Sequence, residues 1–579
     1  MQRPWAKARL LRLQGPSTSY NKTPSRHKVI RQMPKPHPTS PRAWVSHRQT
    51  IPSYLLFILV ALFILLVDNS TYWTRTLTIF AAHPASIAIF GGIAFAIILF
   101  SLSLASLPYL QKPILMFLLI LSAVTAYYQD VLGVVIDREM IQNAAYTTAT
   151  EAKHLITLSF LLRVTLLGIL PALVVAWVRI KPARWWRGLL AWLFSWAGAF
   201  ALFLGLVFSD FRTNGSAIRE HNELGWSIQP GAPLAGTFGY AKMMLRTRNV
   251  VVAPLGTDAR KGPLLAKAAK PVLTVFVVGE TARAANFSLG GYARNTNPEL
   301  AARNVIYFSD VSSCGTSTAV SMPCLFSNLK REGYSYQAGQ SQENLLGVLR
   351  HAAVNARWFD NNTGDLGVAD RFKSETLSSL KDQKYCAKGE CEDAILLPRL
   401  QDVLTTMTDD MVVVIHQMGS HGPSYYLRYP PDFEPFKPAC QTAQFADCTN
   451  PEIINAYDNT IAYTDKMLGQ TIGMLTGQDR VITSMIYVSD HGESLGENGI
   501  YLHAAPCFMA PIEQTHVPMV MWFSDAYKAA FQLDVACIRA KSTLPASHDN
   551  IFHTILGMMD ITTTVRDPAL DLTTGCRPQ

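Results

Sequence analysis

The chain has 579 residues, of which 49% are hydrophobic and only 16% are charged, a composition that excludes a single soluble domain. Its net charge of +9 would point to a nucleic-acid-binding protein if the basic residues were spread along the chain. Residues 1–50, however, contain eleven Lys and Arg and no Asp or Glu, so the remainder is nearly neutral. The basic excess is therefore a tail, which its Pro, Ser and His content predicts to be disordered, and no nucleic-acid partner is expected.

Five apolar stretches follow the tail and define a membrane domain over residues 51–210. They cover residues 52–67, 86–107, 113–127, 155–178 and 188–208. Their lengths approach the ~20 residues that a helix needs to cross the hydrocarbon core of a bilayer. The sequence therefore predicts five transmembrane helices.

Positive charges predict the orientation of these helices. The basic tail precedes the first span, Lys112 lies between the second and third, and four basic residues lie between the fourth and fifth: Arg179, Lys181, Arg184 and Arg187. All three groups fall on one side of the membrane, which the positive-inside rule makes cytoplasmic. Five spans then place everything after residue 208 outside. The tail is too long and polar for a cleaved signal peptide, so the first span is expected to remain.

Cysteine placement agrees with that topology, because none of the nine cysteines precedes Cys314. Six of them form close pairs, namely Cys314 with Cys324, Cys386 with Cys391, and Cys440 with Cys448. Short loops between paired cysteines suit disulfides in an oxidising compartment. A zinc cluster is the alternative, but the chain has no Cys-x-x-Cys repeat followed by histidine pairs, which favours disulfides. The sequence leaves Cys507, Cys537 and Cys576 unassigned.

Residues 211–270 read as a linker and residues 271–579 as a separate domain. Within the linker, segment 239–248 mixes apolar and basic residues, as either an interfacial helix or a plain surface helix would. In the domain, strand-like runs at 272–278, 305–308, 411–415, 485–488 and 517–522 alternate with helical patterns such as 391–406 and 451–475. This alternation predicts an α/β fold with a mostly parallel sheet and helices on both faces.

Candidate metal ligands follow two of these strands. Glu280 comes after the first strand, and Asp490 and His491 come after the fourth. Carboxylate oxygen and imidazole nitrogen are ligands that zinc accepts. A hydroxyl nucleophile is expected either in the island 313–318 or at Thr281, since an alcohol attacks phosphorus well only when a metal lowers its pKa. The alternative for the island is a simple helix N-cap.

Two groups of polar residues are candidates for substrate contact. His421 and His503 lie in glycine- or loop-rich segments and suit phosphate contact or proton transfer, although each fits a plain surface histidine as well. Asn143, Thr147 and Glu151 recur every four residues outside the third span, so a helix would place them on one face. That face is either solvated or a lipid-headgroup site, where a carboxylate would suit an ammonium.

Five segments, in this order, closely resemble the phosphoethanolamine transferases, inner-membrane enzymes of Gram-negative bacteria that include the polymyxin-resistance lipid A transferases. They read VVGETAR at 277–283, GYARNTNP at 291–298, SCGTST at 313–318, MGSHGP at 418–423 and SDHGESLGE at 489–497. The resemblance runs from about residue 50 to the C-terminus and leaves out the tail. It implies a periplasmic catalytic domain with an alkaline-phosphatase-type (sulfatase-like) fold and a cytoplasmic N-terminus.

The resemblance also implies roles for the candidate residues. Glu280, Thr318, Asp490 and His491 would ligate a catalytic zinc, with Thr318 rather than Thr281 as the nucleophile. His421 and His503 would contact substrate phosphate or a second zinc. The family's headgroup-binding positions correspond to Asn143, Thr147 and Glu151. The implied reaction is ping-pong: Thr318 takes phosphoethanolamine from phosphatidylethanolamine and passes it to lipid A or another envelope acceptor.

One loop departs from the family pattern. Where many members have a lysine and some a cysteine pair, the chain has Leu366 and no cysteine. Thr363 stands where the family often has serine, and it is expected to donate a hydrogen bond to substrate. The departure bears on phosphate affinity or acceptor choice and leaves the reaction class unchanged.

Other enzyme classes make different demands. A phosphoglycerol transferase would share the metal ligands but would have no use for the Glu151 carboxylate. A phosphoethanolamine transferase that acts on core sugars or a protein would have the same metal ligands. A sulfatase would need a Cys or Ser followed by x-Pro-x-Arg for formylglycine, and no such sequence surrounds Thr318.

Overall fold

The structure, a computed structural model, describes residues 50–105, 110–181, 184–248, 250–387 and 390–577. The predicted basic tail lies outside the described residues, apart from Thr50. Residues 106 and 107, at the end of the predicted second span, also lie outside them.

The first part of the described chain consists of apolar helices. They are α1 (Ser53–Val67), α2 (Ser70–Ile79), α3 (Pro84–Ala105), α4 (Gln111–Leu132), α7 (Leu158–Arg163), a π-helical segment (Val164–Ile169), α8 (Leu170–Trp177) and α9 (Trp185–Ser209). Four apolar helices among the described residues are long enough to cross a membrane, with α7, the π-helical segment and α8 counting as one. A fifth crossing results if α1 and α2, which meet at 66°, form one broken span. The five predicted spans are therefore all present as helices, and the first continues beyond a bend.

The bend follows from polar residues at the end of α1. This helix has 15 residues, and at about 1.5 Å per residue it is shorter than the ~30 Å hydrocarbon core. Asn69 then donates its side-chain amide to the Ile64 carbonyl (2.9 Å) and accepts from the backbone N–H of Gln229 (2.8 Å). The amide thereby adds a second hydrogen bond to a carbonyl that also accepts from the Asp68 N–H, and it ties the bend to the chain that follows the last span.

More polar helices lie between and after the spans. They are α5 (Arg138–Tyr146), α6 (Ala149–His154), α10 (Phe211–Glu220), α11 (Asn222–Trp226) and α12 (Gly231–Thr247). The predicted linker segment 239–248 is thus helical as far as Thr247. Helix α12 packs closely on the start of α5, because a Cβ added at Gly236 would lie 2.7 Å from the Asp137 carbonyl carbon. Glycine is the residue that allows two backbones to approach this closely.

The second part of the chain is built on a seven-stranded sheet. Its strands are β1 (Val272–Gly279), β2 (Ile306–Phe308), β3 (Asn355–Asp360), β4 (Lys373–Thr376), β5 (Met411–His416), β6 (Ile482–Ser489) and β7 (Met519–Phe523). Their order across the sheet is β2-β7-β6-β1-β5-β3-β4. Every pair is parallel except the two that β7 forms with its neighbours. The predicted mostly parallel sheet is confirmed.

Helices cover both faces of this sheet, which explains why the central strands are apolar throughout. They are α13 (Pro263–Ala266), α14 (Pro298–Ala302), α15 (Thr318–Leu325), α16 (Tyr336–Gln340), α17 (Leu345–His351), α18 (Leu396–Thr406), α19 (Asn450–Leu475), α20 (Asp525–Ala530), α21 (Val535–Lys541) and α22 (Asp549–Met558). In β1, Phe276 and Val278 face one hydrophobic core, and Val275 and Val277 face the other.

The sequence did not predict the two strands at one edge of the sheet. Strand β3 contains Arg357 and is buried only in its second half, and β4 consists of a lysine, a serine, a glutamate and a threonine that are mostly exposed. Strands at the edge of a sheet are only partly covered by other elements, so they lack the apolar run that is typical of a central strand.

The three predicted disulfides are present, and a fourth joins Cys537 to Cys576. Among the cysteines, all of which lie in the described ranges, Cys507 is free and exposed. The pair Cys314–Cys324 links the loop before α15 to the last turn of that helix.

Candidate metal centre and adjoining cavity

Three predicted ligands meet at the carboxyl end of the central strands. Glu280 follows β1 and Asp490 and His491 follow β6, whose last residue pairs with the last residue of β1. The ligand atoms of the three side chains all lie within 4.8 Å of one another, and all three residues are fully buried. The His491 Nε2 atom is 3.3 Å from Glu280 Oε1 and 3.4 Å from Asp490 Oδ2.

The Thr318 hydroxyl lies at the same point. It is the first residue of α15, and its Oγ1 is 3.1 Å and 3.2 Å from the two Glu280 carboxylate oxygens and 3.2 Å from His491 Nε2. Ser317 occupies the N-cap position and makes no capping hydrogen bond. Of the hydroxyls in the island 313–318, Thr318 is thus the one that contacts these two ligands.

Neighbouring groups orient the ligands. Asn362 donates its amide to Glu280 Oε2 (2.7 Å), and the backbone N–H groups of Thr281 and His491 donate to Asp490 Oδ1 (3.2 and 2.7 Å). The His491 Nδ1 atom is 2.9 Å from the Gly492 carbonyl, which can only accept. Nδ1 therefore carries a proton, and Nε2 is the ring nitrogen that faces the carboxylates and would ligate a cation.

This donor set fits a divalent cation. Two carboxylates and an imidazole nitrogen converge in a buried space together with a hydroxyl, and Asp490 Oδ2 has no hydrogen-bond partner among the described residues. Burial, and then the nearby Glu280 charge, raise the pKa of Asp490. Two buried carboxylates this close repel each other unless a positive charge lies between them, and a bound cation would provide that charge.

A row of imidazole rings leads away from this point. The ring centroid of His503 is 4.6 Å from that of His491 and 5.3 Å from that of His421. His503 Nδ1 is 2.9 Å from Glu493 Oε2, and burial, followed by the charge of His491, lowers the pKa of His503 to about 3. His503 is therefore neutral at ordinary pH and keeps one ring nitrogen facing the next cavity.

That cavity has a volume of about 410 Å³, and it brings together all five predicted substrate residues outside the 360–366 loop. They are Asn143, Thr147, Glu151, His421 and His503. The other lining residues are mostly apolar. Most come from the chain between the end of α4 and the start of α7, and the rest come from loops of the α/β domain, namely Gly422, Pro423, Ser424, Arg428 and Leu502. The polar stripe predicted on one helix is divided between α5 and α6, with Thr147 at the break. The stripe nevertheless faces the cavity.

Glu151 carries the cavity's carboxylate. Its Oε2 accepts from the backbone N–H and the hydroxyl of Thr148 (3.0 and 3.1 Å), which forms a capping box. Its Oε1 is 3.1 Å from His421 Nδ1 but makes no hydrogen bond of acceptable angle with any described residue. Burial opposes ionisation, yet the charges of His421 and Arg428 outweigh it and lower the pKa of Glu151. The cavity wall thus carries an ionised carboxylate that is paired with His421.

Neither Thr363 nor Leu366, in the loop that departs from the family pattern, lines the cavity. Thr363 is not among the cavity's lining residues, and its buried hydroxyl has no hydrogen-bond partner in the described parts of the chain. Leu366 is 8% exposed and packs in the hydrophobic core on one face of the sheet. The side chain at this position therefore serves packing.

The sequence missed three side chains that organise this centre. Asn362 contacts Glu280, and Glu493 contacts His503. His548, on the loop before α22, accepts from the Cys314 N–H (3.1 Å) and donates to the Ser489 carbonyl (3.0 Å), joining the Thr318 loop to the end of β6. Glu493 lies in the segment 489–497, and this position is the one sequence feature that indicates a role for it. No sequence pattern around Asn362 or His548 indicates a role for either residue.

Comparison with known protein families gives two matches. Residues 273–561 match the sulfatase family, and residues 93–245 match the family described as phosphoethanolamine transferase EptA/EptB. The first covers the sheet and the metal centre, and the second covers most of the apolar helices together with α5, α6 and α12.

Individual relatives match over most of the chain. Phosphoethanolamine transferase EptA of Escherichia coli (strain K12) is 39% identical over 493 residues, or 84% of this chain and 89% of that protein. Phosphatidylethanolamine transferase Mcr-1 of E. coli is 36% identical over 542 residues, or 90% and 97%. The solved structure of the integral membrane protein lipooligosaccharide phosphoethanolamine transferase A (EptA) from Neisseria meningitidis superposes with a TM-score of 0.88 at 34% identity, covering 92% of this chain and all of that one.

Proposed function

This chain belongs to the phosphoethanolamine transferase family, and on that premise we propose that it transfers phosphoethanolamine from phosphatidylethanolamine to lipid A. The proposed carrier is a covalent phosphothreonine-type intermediate on Thr318 at a zinc site. The observation that carries this proposal is the Thr318 hydroxyl, which lies within 3.2 Å of Glu280 and His491. The row of imidazoles connects this hydroxyl with the cavity that the Glu151 carboxylate lines.

Zinc is the metal that the donor set supports best, since oxygen and imidazole ligands in a buried site suit it. Glu280, Asp490 and His491 would hold it, with Thr318 as the fourth ligand. When bound, zinc lowers the pKa of the threonine hydroxyl and offsets negative charge on the transferred group. The fixed orientations of Glu280 and His491 keep that hydroxyl in place before the substrate arrives.

In the first half of the reaction, Thr318 Oγ1 attacks the donor phosphorus. A Thr318 O–P bond forms, the bond from phosphorus to the diacylglycerol oxygen breaks, and the proton lost by Thr318 is balanced by one gained by diacylglycerol. His421 and His503 face the cavity and are positioned to contact the phosphate or pass on that proton.

In the second half, a phosphate oxygen of lipid A attacks the same phosphorus. A new P–O bond forms, the Thr318 O–P bond breaks, and Thr318 regains a proton from the acceptor phosphate. Phosphoethanolamine leaves on the acceptor, and the enzyme returns to its starting state. The first half exchanges one phosphodiester for another, and the second half replaces the phosphodiester to Thr318 by a phosphoanhydride bond between phosphoethanolamine and the acceptor phosphate.

The donor headgroup would lie with its ammonium at Glu151. The Glu151 carboxylate, whose Oε1 oxygen is ion-paired with His421 but makes no hydrogen bond, would accept from an ammonium, and Asn143 and Thr147 line the same cavity. A glycerol headgroup carries no positive charge and gains nothing from this carboxylate, which argues against a phosphoglycerol transferase.

Glu151→Gln is expected to raise KM for phosphatidylethanolamine about tenfold or more, because a hydrogen bond between charged partners contributes about 1.5–3 kcal/mol. Glu452→Gln is the matched control, since Glu452 forms an equivalent capping box with Thr449 at the start of α19 and does not line the cavity. Initial rates with purified enzyme at varied donor concentration measure the effect. An equal KM for both variants would contradict the assignment of Glu151.

The proposed location is the bacterial inner membrane, with the N-terminus cytoplasmic and the catalytic domain in the periplasm. The apolar helices support membrane insertion. Four disulfides in the α/β domain support an oxidising compartment for that domain. Basic residues between the fourth and fifth spans support the cytoplasmic side for the N-terminus.

Mass spectrometry of lipid A from cells that express the protein tests the function directly. We expect a mass increase equal to one phosphoethanolamine group and none from cells with an empty vector. Phosphoethanolamine on core sugars or on a protein, with unmodified lipid A, would keep the reaction class and overturn the acceptor. A phosphoglycerol-sized increase would overturn the donor.

A further inference from the structure

A second cavity, of about 430 Å³, lies on the other side of α5. Arg138 of α5, Lys242 and Arg246 of α12, and Arg331 from the loop after α15 contribute four positive charges to its wall. Glu139 is the single acidic residue among the lining residues, and it forms a 3.1 Å ion pair with Arg138. The cavity therefore has an excess of positive charge.

The packing of α12 on α5 produces this arrangement. Gly236 and Gly239 lie on the contact face of α12, and a Cβ added at Gly239 would be 3.5 Å from the Arg138 side chain. Lys242 and Arg246 follow Gly239 at three and seven residues, which places them on that same face of the helix. Both are exposed to solvent, and neither forms a salt bridge with any residue in the described ranges.

The basic cavity begins one residue from the proposed nucleophile. Ala319 and Val320, which follow Thr318 in α15, form part of its wall. Gln142 of α5 donates its amide to the Ala319 carbonyl (3.2 Å) and also lines this cavity. Its neighbour Asn143 lines the other cavity. Helix α5 thus separates the two cavities, and the basic cavity borders the start of α15.

The two cavities differ in the charged residues that line them. Phosphatidylethanolamine is zwitterionic and neutral overall, and the first cavity offers the Glu151 carboxylate to its ammonium. A phosphomonoester carries a charge of about −1.5 to −2 near neutral pH, and the second cavity offers arginine and lysine. The basic cavity therefore favours a phosphomonoester, whereas the first cavity, which both Arg428 and Glu151 line, suits a zwitterionic headgroup.

We propose that the basic cavity formed by Arg138, Lys242, Arg246 and Arg331 binds a phosphate group of the acceptor glycolipid and holds it beside Thr318. This inference rests on the proposed function, because it names where that reaction's second substrate binds. In the proposed topology these cations lie outside, where positive charge near the membrane is disfavoured, so a role in binding an anionic lipid accounts for their placement.

The test uses purified full-length enzyme in mixed micelles that contain phosphatidylethanolamine and lipid A. The double variant Lys242→Glu/Arg246→Glu reverses two charges of the cavity, and we expect its KM for lipid A to rise at least about tenfold. Release of diacylglycerol in a single turnover without lipid A reports the first half-reaction, which we expect to be unchanged. Arg248→Glu is the control, because Arg248 ends the same helix and does not line the cavity.

The outcomes separate this inference from the proposed function. A lipid A KM that is unchanged in the double variant, or that rises equally in Arg248→Glu, would overturn the acceptor site. Binding to phosphatidylethanolamine vesicles with and without phosphatidylglycerol adds a second measurement. If the double variant loses only its preference for phosphatidylglycerol and keeps its lipid A KM, the cavity binds bulk anionic lipid, which also overturns the proposal. Failure of the wild-type enzyme to transfer phosphoethanolamine would overturn the proposed function itself.

Discussion

Replacing Thr318 by alanine is expected to abolish transfer, with a loss of at least about a thousandfold in kcat, while the protein remains folded. The hydroxyl forms the hydrogen bonds of this side chain with Glu280 and His491, and no other hydroxyl of the island 313–318 forms a hydrogen bond with them in the described structure. The variant would therefore lose the atom that we propose to attack phosphorus. Removal of one hydroxyl is expected to change the free energy of unfolding by about 1 kcal/mol.

Intact-protein mass measures this result most directly. Wild-type enzyme mixed with phosphatidylethanolamine and no acceptor is expected to gain the mass of phosphoethanolamine, and Thr318→Ala is expected to gain none. Thr318→Ser, which keeps a hydroxyl, is expected to recover part of the signal. Ser313→Ala is the control from the same island, because its hydroxyl donates to the Gly315 carbonyl (2.6 Å) instead of contacting the ligands. A phosphoethanolamine adduct on Thr318→Ala would show that another residue is the nucleophile.

Removal of metal is expected to have a comparable effect on activity and an additional effect on stability. Dialysis against a chelator is expected to abolish transfer, and zinc is expected to restore it. A ligand that binds only the folded protein stabilises it by RT ln(1 + [L]/Kd), so the wild-type Tm is expected to fall when zinc is removed. The repulsion between the Glu280 and Asp490 carboxylates is then no longer offset.

The variant Asp490→Asn tests whether the effects of the chelator on activity and Tm come from a metal at this site. It removes one charge and one ligand oxygen, so we expect bound zinc, measured by elemental analysis, to fall below that of the wild type at equal free zinc. Its Tm is expected to respond little to the chelator. Asp465→Asn is the control, because Asp465 is also a buried carboxylate and accepts from the backbone N–H groups of Glu299 and Leu300. Full transfer by enzyme with no bound metal would contradict the zinc site.

Local sequence patterns were sufficient for the main elements of the fold. Apolar runs of near-membrane length identified the spans, and the central strands β1, β5 and β6 were recognisable because helices cover both of their faces. The bend after α1 was missed, since a polar pair at residues 68 and 69 reads as the end of a span. Strands β3 and β4 were missed because polar residues dominate at the sheet edge.

The candidate ligands could be selected for the same reason. Glu280 and the pair at 490 and 491 each follow a buried strand, and the carboxyl ends of parallel strands meet at one edge. The three disulfides between nearby cysteines could also be predicted, because their partners are close in sequence. The pair Cys537–Cys576, which spans 39 residues, was not.

The sequence by itself therefore determined the membrane helices, the parallel sheet and the residue types at its edge, since each of these is written in neighbouring residues. Tertiary structure alone decided which groups from distant segments meet. Asn362 reaches Glu280 only because β3 lies beside β5. His548, at the start of α22, forms hydrogen bonds with two loops that are distant from each other in sequence. The basic cavity exists only because α12 packs on α5. The period of a helix or strand shows which face a residue occupies, but the partner of that face depends on strand order and helix packing, which no local pattern records.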